Sequence, residues 1–216
     1  MRKTPYVVAF VATVLVIVFN ILSIRRVDWI VAKARSDILR TTITTSYGLN
    51  KVCELTLTRV PGRDKNDEIV YRDYECRPFP SRSKDGCEEE NSGFCATWTG
   101  AGYVDYLATG FSAITPLVIL FGVSTHPRRR RIWRALAGMT MLQSLTGVIA
   151  FAMITDAYTR EQYPGFRHAE LGKAYIFHTL SWILSFLVSV GIALTGYAAE
   201  KGQAWAAGTR GYLPIG

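Results

Sequence analysis

The residues with the most chemistry to offer are four cysteines, Cys53, Cys76, Cys87 and Cys95, which all fall in one polar stretch of a 216-residue chain. Thiols can hold zinc or pair as disulfides. Metal binding would call for a C-x-x-C pair or a neighbouring histidine, and neither is present. An even number of cysteines confined to one segment reads instead as two disulfides in an oxidising compartment. Counting alone leaves three pairings. Cys53–Val60 and Ile69–Cys76 both alternate with β-rich residues, and residues 61–68 between them have turn composition. Folding about that turn sets Val60 against Ile69 and Cys53 against Cys76, which favours a Cys53–Cys76 bridge. Cys87 and Cys95 then close an acidic loop that contains Glu88, Glu89 and Glu90.

Other reactive groups stand alone. His178 lies in an apolar run, where a neutral histidine hydrogen-bonded between helices is expected. Asp105 lies at the edge of another run and is expected at the membrane interface. No nucleophile–base pair, phosphate loop or metal cluster can be assembled from the chain, so neither an enzyme nor a bound cofactor is expected.

The elements that must position these residues are set by four nearly uncharged stretches, about 6–24, 103–123, 132–154 and 174–197. Each is long enough to cross a ~30 Å hydrocarbon core as a helix. Loops of about 25–102 and 155–173 would lie on one side. With the N-terminus inside, nine basic residues and one acid lie on the cytoplasmic side, so the whole net charge of +8 falls there. The run Arg128, Arg129, Arg130, Arg131 is the strongest determinant of that orientation. It reads as a short loop that either sets topology or binds anionic lipid; without interleaved aromatics it does not suggest nucleic acid. The expected localisation is a multi-pass plasma-membrane protein with both termini cytoplasmic.

Within the spans, Asn20 and the four-residue repeat Ser181, Ser185, Ser189 predict close, hydrogen-bonded helix packing, as do Gly138 and Gly147. Pro116 predicts a kink. Asp28–Lys33 and Leu39–Thr45 join the cysteine-bearing segments as candidate strands. The expected architecture is therefore a membrane all-α protein with small β content. A left-handed four-transmembrane-helix bundle would carry a disulfide-braced antiparallel extracellular sheet from the first outer loop, all in one domain spanning 1–216.

The polar segment between the first two spans resembles the claudin superfamily, which includes peripheral myelin protein and the calcium-channel γ subunits. Trp29 stands at the family's first signature position. Gly48 and Leu49 stand in the Gly-Leu-Trp position, with Asn50 in place of the tryptophan, followed by Cys53 and Cys76. The second loop is also similar, with Tyr163-Pro164-Gly165-Phe166. The longer hairpin and the extra Cys87 and Cys95 are nearer to fungal or invertebrate claudin-like members. The resemblance implies a non-enzymatic protein of cell junctions, cell adhesion or membrane organisation, with membrane lipids and a homo-oligomer or other membrane proteins as partners. It also allows an auxiliary channel subunit or, further off, an oligomeric pore. The expected partner-binding residues are Arg63, Asp64, Lys65, Asp67 and Glu68 at the hairpin tip, with Glu88, Glu89 and Glu90. Tyr163 and Phe166 are expected on an exposed turn, either as contact anchors or as part of an interfacial belt.

Overall fold

The computed structural model describes residues 4–36, 38, 40–61, 68–123, 126–203 and 206. The elements run α1 (Thr4–Arg25), β1 (Ile30–Ser36), β2 (Thr41–Tyr47), β3 (Lys51–Pro61), β4 (Glu68–Pro78), α2 (Ser92–Val123), α3 (His126–Thr159), β5 (Glu170–Leu171) and α4 (Lys173–Glu200). A single 3-10 turn, Pro164–Phe166, precedes β5. All four helices are long and apolar enough to cross a membrane, which makes the chain a multi-pass membrane protein.

Two helices depart from their expected limits. α2 starts at Ser92, eleven residues before the apolar run begins, so Ser92, Gly93 and Cys95 are helical rather than part of an acidic loop. α3 starts at His126, so the backbone of Arg128–Arg131 is helical and not an inter-helix loop. The side chains of that run lie outside the described residues. α2 continues unbroken through Pro116.

The chain divides into two compact units. The first takes in residues 1–21, 106–148 and 179–216. Its helices are inverted relative to a soluble protein. Val7, Val8, Val11, Leu117, Leu120, Phe121, Leu187 and Leu194 are each more than half exposed. Thr13, Asn20, Ser112, Thr115, Thr140, Gln143, Ser144, Ser181, Ser185 and Ser189 are buried. Hydrocarbon solvates the apolar outside, while buried hydroxyls and amides must find partners inside. Ser181 donates to the Asn20 side-chain oxygen. Ser185 donates to Gln143 Oε1 at 2.7 Å and Ser189 to the Ala137 carbonyl at 2.8 Å. The serine stripe of α4 thus joins it to α1 and α3. Gly147 lets α3 and α4 approach closely, since a Cβ there would stand 2.7 Å from that of Trp182. Gly138 has open space around it and does not share this role.

The second unit, residues 22–105 and 149–178, holds the sheet. Strand order is β4-β3-β2-β1-β5, antiparallel throughout. Four strands lie between α1 and α2. The fifth comes from the segment between α3 and α4, so the sheet is not built from one loop alone. The β3–β4 register sets Val60 against Ile69 and Cys53 against Cys76, as the turn composition predicts. β2 and β3 meet in a tight turn closed by the Gly48 N–H on the Lys51 carbonyl at 2.9 Å. A Cβ at Gly48 would come within 3.0 Å of that carbonyl and of the Val27 backbone. At the other edge Gly172 donates to the Trp29 carbonyl at 2.8 Å, and a Cβ there would overlap the Asp28 carbonyl at 1.9 Å.

Candidate interaction surface and the framework beneath it

The residues of the sequence signature are the framework of the sheet unit rather than its surface. Trp29 is fully buried and donates through Nε1 to the Ser23 carbonyl at 3.0 Å. Leu49 is buried, and Trp98 donates to the Gly48 carbonyl at 3.2 Å. Around them Tyr47, Phe79, Phe94, Trp98, Tyr163 and Phe166 form one aromatic cluster with ring centroids from 4.9 Å (Phe94–Tyr163) to 6.0 Å (Phe79–Phe94). Edge-to-face and offset contacts of this kind add about 0.5–1.5 kcal/mol each beyond the area buried.

This cluster corrects one expectation. Phe166 is 2% exposed and Tyr163 is half-buried, so the pair does not lie on an exposed turn. The Phe166 ring is therefore not open to a partner as an exposed anchor. Pro164-Gly165 turns the chain inward, and both rings pack on Phe94.

Two disulfides close the framework. Cys53–Cys76 joins adjacent strands with a Cα–Cα distance of 4.1 Å, and Cys87–Cys95 links the segment after β4 to the first turn of α2. Between them sits a polar node that sequence reasoning missed. The Asp85 carboxylate, buried, receives Arg77 Nη1 and Nη2 at 2.8 and 2.7 Å, the Ser81 N–H at 2.6 Å and the Tyr163 hydroxyl at 2.8 Å. Burial alone would push this carboxyl up. The donors of Arg77, Ser81 and Tyr163 outweigh burial and hold it below its ordinary value. Burial and the Asp85 carboxylate together push the Tyr163 hydroxyl well above its ordinary value. The only local signal was Asp85-Gly86, a turn dipeptide, with Gly86 at φ +66°.

The node and the second bridge hold residues 81–91 in a series of turns, on which Glu88, Glu89 and Glu90 are exposed. A polar groove of about 320 Å³ on the sheet is lined by Glu54, Glu75, Arg77 and Lys84. Arg63, Asp64, Lys65 and Asp67 of the hairpin tip, and the Glu68 side chain, lie outside the described residues.

Asp105 does not face outward from the protein. It is fully buried, 2.9 Å from His178 Nδ1, and the His178 ring lies 5.1 Å from that of Trp29. An Asp–His pair is a catalytic arrangement only where substrate can reach it. With exposures of 0% and 1% this one is closed off, and the geometry assigns it to packing of α2 on α4 beneath Trp29.

In the helical unit, an apolar groove of about 580 Å³ runs along α1 and α4 past Val8, Ala12, Leu187 and Gly191. Among the described residues no group of three or more potential metal ligands occurs. No protein-family model matches the chain, and no curated protein matches it.

Proposed function

We propose that this chain is a non-enzymatic plasma-membrane protein of claudin-like type. Its sheet and connecting loops, on the extracellular side, organise membrane domains or cell–cell contacts. In this reading both termini are cytoplasmic, the four spans form a left-handed bundle and the Arg128–Arg131 run faces the anionic inner leaflet. The observation that carries the reading is the division of labour within the sheet unit. Its interior is braced by two disulfides, the Asp85 node and an aromatic cluster, while its outer positions expose Glu88–Glu90 and most of β4. A rigid frame bearing exposed charge and aromatic groups fits recognition, where charge sets orientation and excludes wrong partners.

The groove on α1 and α4 favours a second reading, an auxiliary subunit of a channel or transporter that docks through its spans. Co-purification of the tagged full-length protein from native membranes in mild detergent separates the two. Recovery of further copies of the chain, weakened when Glu88-Glu89-Glu90 is changed to lysines, supports the first. Recovery of a stoichiometric large membrane protein, unaffected by that change, overturns it in favour of the second.

A further inference from the structure

We propose that the free edge of β4 pairs, antiparallel and about a two-fold axis, with β4 of a second copy of this chain, centred on Val70. The inference deepens the contact reading above and rests on it.

Among the described residues, β4 has a neighbouring strand, β3, on one side only. Which of its backbone groups face the open side follows from the ladder. The Cys53–Cys76 pair has Cα atoms 4.1 Å apart, the close spacing of a non-hydrogen-bonded pair. The Phe79 N–H on the Asn50 carbonyl and the Arg59 N–H on the Arg40 carbonyl give the same phase. Cys76, Tyr74, Arg72 and Val70 therefore turn their N–H and C=O groups away from β3. Ile69 (45% exposed), Val70 (53%) and Tyr71 (62%) put a short apolar run on this edge. An exposed edge of that kind is a template for strand addition.

The side chains select the partner and the register. A two-fold pair sets one residue of β4 opposite itself. With Arg72 central, two guanidinium groups face each other; with Asp73 or Glu75 central, two carboxylates do. Tyr74 central opposes Asp73 to Glu75. Tyr71 central opposes Ile69 to Asp73 and Val70 to Arg72. A Cys76-centred pair needs Arg77, already held by Asp85, and Pro78, which has no N–H. Val70 central opposes Val70 to itself and Ile69 to Tyr71 in both directions, with no like charges opposed among these residues. It also forms roughly six backbone hydrogen bonds over residues 68–72 of the two copies, two for each hydrogen-bonded pair. Head-to-tail addition onto β1 is less well matched. β5 already covers Ile30 and Val31, and the hydrogen-bonding phase never sets Lys33 or Arg35 opposite Asp73 or Glu75.

All four cysteines of this chain are held in disulfides, so a single introduced thiol reports one contact. Val70→Cys, Arg72→Cys and Tyr74→Cys are compared in native membranes under mild oxidant, each checked for surface delivery. A reducible dimer is expected with Val70→Cys at least about five-fold more abundant than with the other two. Val70→Pro removes an N–H that faces away from β3, and is expected to lower self-association of tagged copies about ten-fold while the Cys53–Cys76 bridge still forms. A dimer strongest at Arg72→Cys or Tyr74→Cys, or absent from all three, overturns the proposal. If tagged parent copies still co-purify in that case, the edge pairing fails while the contact reading stands.

Discussion

The two units of this protein solve opposite solvation problems. In the helical unit many large apolar side chains face outward and the hydroxyls and amides inward, so short hydrogen bonds such as Ser185–Gln143 and Ser189–Ala137 add to an apolar cluster of Tyr6, Ile119, Leu136 and Ile192. In the sheet unit the order is that of a water-soluble domain. Trp29, Phe79, Phe94, Trp98 and Phe166 are buried, and Glu88–Glu90 and β4 residues 69–76 are exposed. The sheet unit also carries both covalent bridges and the Asp85 node. Hydrocarbon satisfies the outside of a helix without specificity, whereas a small sheet facing water needs braces to stay ordered. On the proposed reading, specificity resides on the braced unit.

The largest expected effect breaks the sheet unit alone. Replacing Cys53 and Cys76 by serine is expected to cost about 2–5 kcal/mol, read as increased proteolysis within residues 30–78 while the helices stay protected. Cys87 and Cys95, which close a shorter loop, are expected to cost less in the same assay.

Next comes the buried node. Asp85→Ala leaves Arg77 without its partner and is expected to cost about 3 kcal/mol, the low end for a buried pair because Arg77 is 28% exposed. The pH dependence follows from the lowered carboxyl. Its stabilisation is fully present above the ordinary carboxylate range, and is lost as pH falls through that range and then through the lower folded value. Acid unfolding of the sheet unit, followed by tryptophan fluorescence, is expected to lose this component in Asp85→Asn.

Smaller again, Ser185→Ala in the helical unit is expected to cost about 0.6 kcal/mol, since interhelical hydrogen bonds in membranes average near that value. Unfolding in mixed micelles measures it. A loss several times larger would mean that the serine seam is as strongly braced as the sheet, which would erase the contrast.

Much of this division was legible beforehand because its signals are local. Alternation and turn composition located β3, β4 and their register, and charge-free runs located the spans. What was not legible is non-local or compensated. Tyr163 and Phe166 flank a Pro-Gly pair and read as an exposed turn; only three-dimensional packing on Phe94 and Tyr47 buries them. The burial of Asp105 was not legible because its partner, His178, lies in a different span. α2 begins early because Cys95 and Phe94 anchor its polar first turns to the sheet unit, so a boundary set by hydropathy comes too late. β5 is two residues long, too short for alternation to register.

The central claim, that association runs through the braced sheet, is tested most directly by lysine cross-linking of the full-length protein in native membranes. Intermolecular links are expected at Lys33, Lys51 and Lys84, all exposed on the sheet unit. Intermolecular links confined to Lys201, with the sheet lysines joined only within one chain, would contradict the claim.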